Sequence, residues 1–179
     1  MIETIRIGRM LREATSSPYR NLVTRPTGVA VRNRIEDALS RSDCLTALLD
    51  FSDIELLDFS CADEIVAKLL LTQASQRRRF MVLRGLRDDQ HEAIEQVLRH
   101  HRLAVVAMVH GDEPLLLGWV SPDARQAFAC MPRTGPSTPS DLARALGWPE
   151  PRMRAALDAL ALLLLIRPED GWYHPLLVA

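Results

Sequence analysis

The 179-residue sequence has few cysteines and no clustered glycines. Its cysteines, Cys44, Cys61 and Cys130, form no CxxC pair and are odd in number, which argues against a thiolate zinc site and a disulfide framework. No phosphate-binding glycine loop, GxSxG or HExxH motif occurs. The longest fully apolar run, Ala159 to Ile166, is far too short to span a bilayer. We therefore expect a cytoplasmic protein without a membrane span that is not an enzyme and uses no metal or cofactor.

An excess of charge of either sign is also missing. The 22 basic and 23 acidic side chains leave a formal net charge of −1, so the whole chain offers no general attraction to nucleic acid or anionic membranes. Histidine spacing predicts no metal site, because His100 and His101 would diverge by about 100° on a helix. The other histidines, which have no ligand at local spacing, are His91, His110 and His174. A binding function therefore needs a local surface.

Short β-like runs alternate with helix-like runs over the first two thirds of the chain. This order predicts an α/β fold in which helices pack on a sheet. TIRIGRML (4–11) indicates an edge strand, and Pro26 to Gly28 indicate a turn before a helix. LTALLDFSDI (45–54) lacks clean alternation, which is typical of a central strand buried on both faces. RRFMVLRGL (78–86) predicts another buried strand, and DDQHEAIEQVLRHH (88–101) predicts a helix with suitable charges at both ends.

A helix is also predicted after Ser60. Apolar residues from Ala62 to Leu70 recur there at helical spacing, and Glu64 and Lys68 form an i,i+4 pair on the other face. Two strands joined by the turn HGDE (110–113) are expected to close the sheet as a hairpin.

Proline, serine, glycine and threonine concentrate after this hairpin, which indicates a domain boundary. Domains are predicted at 1–121 and 138–179, joined by a linker at 122–137 that could hold one short helix. Thr138 is expected to cap a helix that ends at Gly147, and a longer helix and a hairpin follow. Short helix, helix, longer helix and hairpin is the order of a winged helix-turn-helix.

With these elements placed, LLDFSDIELLDFSCADEIVAKLL (48–70) resembles the central signature of STAS domains, the fold of bacterial anti-sigma-factor antagonists. In that family an aspartate-ended strand is followed by a hydroxyl-containing turn that begins a helix. The segment is similar to a STAS-like variant in which Ala-Asp-Glu follows the turn. The matching residues are Asp50, Ser52, Asp58, Ser60, Ala62, Asp63 and Glu64. The resemblance implies a four- or five-stranded sheet with packed helices over residues 1 to about 120 and a role in bacterial signalling.

Two roles are open for Ser60. In antagonists that a kinase switches, the phosphorylated hydroxyl occupies the position of Phe59 in this sequence, and Ser60 is the next hydroxyl residue. A phosphate on Ser60 would meet a helix N-terminus, which stabilises anionic oxygens, but nearby carboxylates such as Asp58 and Glu64 would repel it. Alternatively, Ser60 is only the N-cap and accepts the N–H of Asp63.

Cys61 stands where the family has a glycine. It could be a reactive thiolate in the first turn of the helix or a small packed residue, and the neighbouring carboxylates favour the packed role. A partner is expected on the strand-turn-helix surface, which consists of Asp50, Ser52, Asp58, Phe59, Ser60, Cys61, Asp63 and Glu64. The resemblance implies an anti-sigma factor or a related kinase as that partner.

The C-terminal domain offers a second function. Its longer helix would place Arg152 and Arg154 toward DNA, with Arg144 on the preceding helix. Residues 138–179 carry four arginines and five carboxylates, however, which is a poor charge for phosphate binding.

The sequence therefore predicts a non-catalytic bacterial signalling adaptor that binds a protein partner through the strand-turn-helix surface. Formation of a homodimer is compatible with this adaptor function. The alternative is a transcriptional regulator whose winged helix binds DNA and whose STAS-like domain senses a partner or ligand.

Overall fold

Strands and helices alternate along the first part of the chain, as the hydrophobic pattern predicts. The computed structural model describes residues 1–76, 79–109 and 113–176, and the chain divides into two units, Met1–Trp119 and Val120–Ala179. The elements of the first unit are, in chain order, β1 (Ile2–Arg6), α1 (Ile7–Thr15), β2 (Asn21–Leu22), α2 (Arg25–Ser40), β3 (Thr46–Asp50), β4 (Leu56–Leu57), α3 (Phe59–Ala62), a π-helical segment (Asp63–Lys68), α4 (Leu69–Gln76), β5 (Phe80–Arg84), α5 (Asp88–His100), β6 (Ala104–Val109) and β7 (Glu113–Gly118).

Five strands of the first unit form one mixed sheet in the order β1-β3-β5-β6-β7. The first four run parallel, and β7 is antiparallel to β6. β3 lies between β1 and β5, and its residues from Thr46 to Leu49 are all buried, which confirms the predicted internal strand. β2 and β4 pair separately as a short parallel sheet. The fold is therefore mixed α/β.

One face of the sheet and the helices share a hydrophobic core. Ile5, Leu49 and Leu83 are paired across β1, β3 and β5 and belong to this core, so they lie on the same face of the sheet. Helix residues such as Ile35 and Ile65 pack against them and are fully buried. Burying each such aliphatic side chain contributes about 1.5–3 kcal/mol to folding, so this layer holds the strand-turn-helix surface in place.

Two local predictions were right only in part: the first strand is an edge strand and the predicted helix is present, but their bounds differ. The run TIRIGRML is a strand only in its first half, because α1 begins at Ile7 and buries Ile7 and Leu11, which lie one turn apart. Pro26 to Gly28 lie inside the first turn of α2, where proline is well tolerated. Gly28 allows close packing there, since a Cβ would lie only 3.1 Å from the Cα of Cys61 and would crowd it. α2 therefore packs closely on α3.

The other predicted elements of the first unit are confirmed. β5, α5 and the hairpin of β6 and β7 fall where the sequence places them. The helix predicted after Ser60 is present, but it begins at Phe59 and includes the π-helical segment. Arg78, the predicted start of a strand, and residues 110–112 of the predicted turn lie outside the described residues.

Within residues 120–176, the second unit has three helices followed by a hairpin. Its elements are α6 (Pro122–Cys130), α7 (Pro139–Leu146), α8 (Glu150–Leu162), β8 (Arg167–Glu169) and β9 (Trp172–His174). Thr138 caps α7 by accepting the N–H of Asp141 at 3.2 Å, and Gly147 ends it in the left-handed conformation, both as predicted. α6, the helix predicted within the linker, packs on α7 and α8. Ser137 forms an isolated antiparallel bridge with Tyr173.

Candidate functional site

Asp50 lies at the carboxyl end of β3 and organises the loop that follows. Its Oδ1 accepts the backbone N–H of Ser52 at 3.0 Å and the Ser52 hydroxyl at 2.5 Å, and its Oδ2 accepts from Arg84 at 2.7 Å. Burial raises the pKa of Asp50, but the hydrogen bonds from Ser52 and Arg84 outweigh it and hold the pKa below its usual value. Gly85 has a φ of +74° and lies so close to Ser52 that a Cβ would meet its hydroxyl at 2.3 Å. The start of the loop is therefore rigidly held.

Asp58, and not Ser60, is the N-cap of α3. Its Oδ1 accepts the N–H of Cys61 and the hydroxyl of Ser60, both at 2.8 Å, and its Oδ2 accepts the N–H of Thr24 at 3.0 Å. The predicted cap bond from Ser60 to the N–H of Asp63 was therefore wrong. A carboxylate has two oxygens that accept several donors, so Asp58 begins the helix earlier and also fixes the chain before α2.

Ser60 lies in the first turn of α3 and is half-buried. Its hydroxyl donates to the Asp58 carboxylate. Burial raises the pKa of Asp58, but the N–H of Cys61, the Ser60 hydroxyl and the N–H of Thr24 together hold that pKa below its usual value. A phosphate on Ser60 would replace an attractive hydrogen bond with repulsion between anions. Phosphorylation of Ser60 stays a prediction.

Cys61 is fully buried beneath the turn. Its thiol donates to the carbonyl oxygen of Thr24 at 3.1 Å. Burial, and after it the negative charge of Asp58, raises the pKa of Cys61 to about 12. The thiol is therefore protonated at neutral pH, and its position against Gly28 agrees with the packed role.

Glu64 is buried, with only 1% of its side chain exposed. Arg25 and Arg32 of α2 each donate to its carboxylate at 2.6 Å, and Lys68 also pairs with it. Burial raises the pKa of Glu64, but these cations outweigh burial and lower it. The predicted pair with Lys68 is confirmed, but the placement of Glu64 on a solvent-facing side was wrong, because Glu64 is buried against Arg25 and Arg32 of α2.

Asp63 lies beside this cluster and is partly buried. It accepts from Arg25 at 2.8 Å and contacts His101 Nε2 at 2.6 Å. Burial raises the pKa of Asp63, but hydrogen bonds with Arg25 and His101 lower it below its usual value. Sequence reasoning missed Arg25, Arg32 and His101. The available signal was weak: Arg25 and Arg32 lie seven residues apart and so share one face of α2.

The strand-turn-helix surface is therefore exposed only in part. Ser52 and Phe59 are exposed, whereas Cys61 and Glu64 lie inside the fold. Phe59 has 51% of its area exposed, and so has Leu56, a neighbour that sequence reasoning did not identify. Asp50, Asp58, Ser60 and Asp63 are half-buried and hold the turn through the bonds given above. Two large apolar side chains, Leu56 and Phe59, are therefore accessible in this segment.

The predicted DNA-binding arginines differ in their availability. Arg144 is largely exposed, and its nearest carboxylate partner, Asp141, is 3.9 Å away. Arg152 forms a bidentate pair with Asp123 at 2.8 and 2.9 Å and lies 4.0 Å from the Trp148 ring centre. The third arginine, Arg154, pairs with Glu150. Two of the three guanidinium groups are therefore already paired within the second unit.

Residues 1–76, 79–109 and 113–176 lack two kinds of feature, a metal-binding cluster and a membrane-spanning helix. They contain no cluster of three His, Cys, Asp or Glu side chains arranged to hold a metal ion. Nor do they contain a helix of the length and apolarity that crossing a membrane requires. His174 lies 3.7 Å from Glu169, and His110 is outside the described residues.

Comparison with known proteins leaves the site to be interpreted from its own geometry. No family model, no curated protein and no solved structure matches the chain. Function is therefore inferred from contacts, burial and charge.

Proposed function

We propose that the protein is a non-catalytic bacterial regulatory adaptor whose STAS-like first unit binds a protein partner through the strand-turn-helix surface. The observation that carries the proposal is the exposure of Leu56 and Phe59 on either side of the Asp58 cap. Large apolar side chains at the centre of an accessible patch are typical of protein interfaces. The polar residues around them are already bonded to one another, so a partner would gain mainly from covering the apolar pair.

The arrangement of the first unit supports the STAS-like assignment. An aspartate ends β3, and a helix begins directly after a second aspartate, which is what the resemblance implies. The resemblance then gives an anti-sigma factor or a related kinase as the partner. Phosphate on Ser60 would break its bond to Asp58 and add negative charge beside Phe59. Modification at Ser60 would therefore weaken partner binding.

A pull-down from the native cell extract tests this function. The bait proteins are the wild type, Phe59→Asp, Ser60→Asp and Leu162→Asp, and bound proteins and the phosphorylation state of Ser60 are identified by mass spectrometry. Leu162 is 82% exposed in the second unit and is the matched control. We expect an anti-sigma factor or kinase to bind the wild type and Leu162→Asp but neither variant of the turn. Equal recovery on all four baits would rule out the strand-turn-helix surface.

A second candidate function is DNA binding by a winged-helix-like second unit. The bridge between Ser137 and Tyr173 favours this function. It places a short extended segment beside the β8–β9 hairpin, and a winged helix is expected to have such a segment before its second helix. The exposed Arg144 is its best phosphate ligand. A labelled duplex should then shift in a salt-dependent manner, and Arg144→Ala should weaken the shift. If Phe59→Asp loses the protein partner and Arg144→Ala leaves the shift of the duplex unchanged, the adaptor function is favoured instead.

A further inference from the structure

A groove of about 810 Å³ lies beside the first strand. Its walls come mainly from β1, α1 and α2. Four consecutive residues of β1, from Glu3 to Arg6, line it. Side chains of a strand alternate between the two faces of the sheet, so consecutive residues meet one groove only along the edge of the strand. This β1 groove therefore includes the outer edge of β1 and reaches Arg84 at the carboxyl end of β5.

The outer edge of β1 carries backbone groups that the sheet does not use. β1 is the terminal strand, and the carbonyl of Met1 accepts the N–H of Thr46 in β3. Alternate residues of a parallel strand bond to the same neighbour, so Glu3 and Ile5 also turn their backbone groups toward β3. Ile2 and Thr4 turn theirs outward. Both are exposed, and an open strand edge of this kind is a template for another strand.

The β1 groove is basic although the chain is not. Its lining carries six arginines and three carboxylates, and one of the arginines, Arg84, already pairs with Asp50. Glu13 is shared by two of these arginines, since Arg9 lies 2.8 Å and Arg34 3.6 Å from it. Arg6 forms no ion pair with a carboxylate in the part of the chain that the structure describes, and Arg12 acts on Glu13 only at longer range. The groove therefore has guanidinium groups free for an anionic ligand.

The free backbone edge and the free arginines specify different features of one ligand. The edge requires an extended peptide backbone, and arginine pairs well with carboxylates through two parallel hydrogen bonds. A second copy of this chain would bring the same arginines to the edge, and like charges oppose such pairing. Charge complementarity therefore selects an acidic partner over self-association.

We propose that the β1 groove binds an acidic peptide segment that adds as a strand to the outer edge of β1 and pairs its carboxylates with the groove arginines. The segment belongs to a partner protein. The groove adjoins the strand-turn-helix surface at Arg84, which also pairs with Asp50, but it does not include Phe59, and neither proposal depends on the other.

Fluorescence anisotropy with a labelled peptide of alternating glutamate and valine tests the proposal. Two further peptides serve as probes. One has lysine in place of glutamate, and the other has N-methylated amides that cannot donate hydrogen bonds to a neighbouring strand. The acidic peptide should bind at least about tenfold more tightly than either, because strand addition needs both complementary charge and backbone hydrogen bonds. Equal binding of the lysine or the N-methylated peptide would overturn the proposal.

Protein variants locate the peptide on the β1 groove. Arg6→Glu combined with Arg12→Glu should weaken binding about tenfold or more, whereas Arg144→Glu in the second unit should have little effect. Thr4→Pro removes an outward N–H without touching the ladder to β3 and should weaken binding about fivefold. Unchanged affinity in the arginine variant would overturn the proposal, and that variant stays decisive if Thr4→Pro perturbs the circular dichroism spectrum.

Sedimentation velocity tests whether a second copy of the chain, and not an acidic partner, occupies the edge of β1. A dimer that Thr4→Pro dissociates would show that a second copy occupies the edge, and would overturn the acidic-partner proposal. A wild type that stays monomeric and binds the acidic peptide supports it. Phe59→Asp should leave peptide affinity unchanged, so failure at this groove is distinguishable from failure at the strand-turn-helix surface.

Discussion

Glu64 accepts a hydrogen bond from Arg32 at 2.6 Å inside the fold, and this contact joins the π-helical segment to α2. Arg32 is itself only 21% exposed, so neither group is well solvated. Gly28 lies on the same side of α2 and lets the two helices approach closely. The charged contact and the close packing together set the position of the helix that carries Phe59.

Removing the charge of Glu64 should destabilise the first unit strongly. Glu64→Gln leaves Arg32 and its neighbours without their buried counter-ion, and breaking such a pair typically costs about 3 kcal/mol or more. Urea unfolding followed by circular dichroism measures the change in free energy. The control is Glu36→Gln, which removes a more exposed partner of the same arginine at 3.8 Å and should cost less than about 1 kcal/mol. Equal costs for the two variants would contradict a buried anchoring role for Glu64.

The position of the helix cap gives a second prediction. Asp58→Ala should lower the free energy of unfolding by about 1–2 kcal/mol, because it leaves the N–H groups of Cys61 and Thr24 without their acceptor. Ser60→Ala should cost less than about 1 kcal/mol, since it removes only one hydroxyl donor. Urea titrations of both variants compare the two residues directly. A larger loss for Ser60→Ala would restore Ser60 as the cap.

Cysteine reactivity provides a third prediction. With its pKa raised to about 12 and its thiol fully buried, Cys61 should resist alkylation in the native protein. Cys130 is only partly buried and should react with iodoacetamide first, as peptide mass spectrometry can follow. In urea the two thiols should react at similar rates. Rapid native labelling of Cys61 would instead indicate that the turn opens readily.

Local patterns in the sequence account for most of the fold. The uninterrupted apolar run of β3 and the capped, glycine-ended α7 carry their own signals, so both are predicted correctly. The start of α1 at Ile7 was missed because a short alternating run fits a strand as well as a helix. There the burial of Leu11 against distant core residues decides the outcome.

The candidate site was harder to predict because its contacts join distant parts of the chain. The sequence places Asp58, Ser60 and Glu64 together, but it cannot show which of them caps the helix. In the structure Asp58 accepts the N–H of Cys61 and also that of Thr24, which lies 34 residues away in the sequence. The burial of Glu64 depends in the same way on Arg32, which lies 32 residues earlier.

Acid should destabilise the first unit by protonating the carboxylates of Asp63 and Glu64. Asp63 and Glu64 have folded pKa values below their ordinary values of 3.8 and 4.5, so the folded state binds fewer protons than the unfolded state. Their contribution to stability is therefore complete above about pH 5 and is lost as the pH falls through the ordinary values toward the folded ones. Urea midpoints measured from neutral to acidic pH should decline in this range, and Asp63→Asn should make the decline shallower. Parallel declines in the two proteins would mean that Asp63 is not among the groups that link stability to pH.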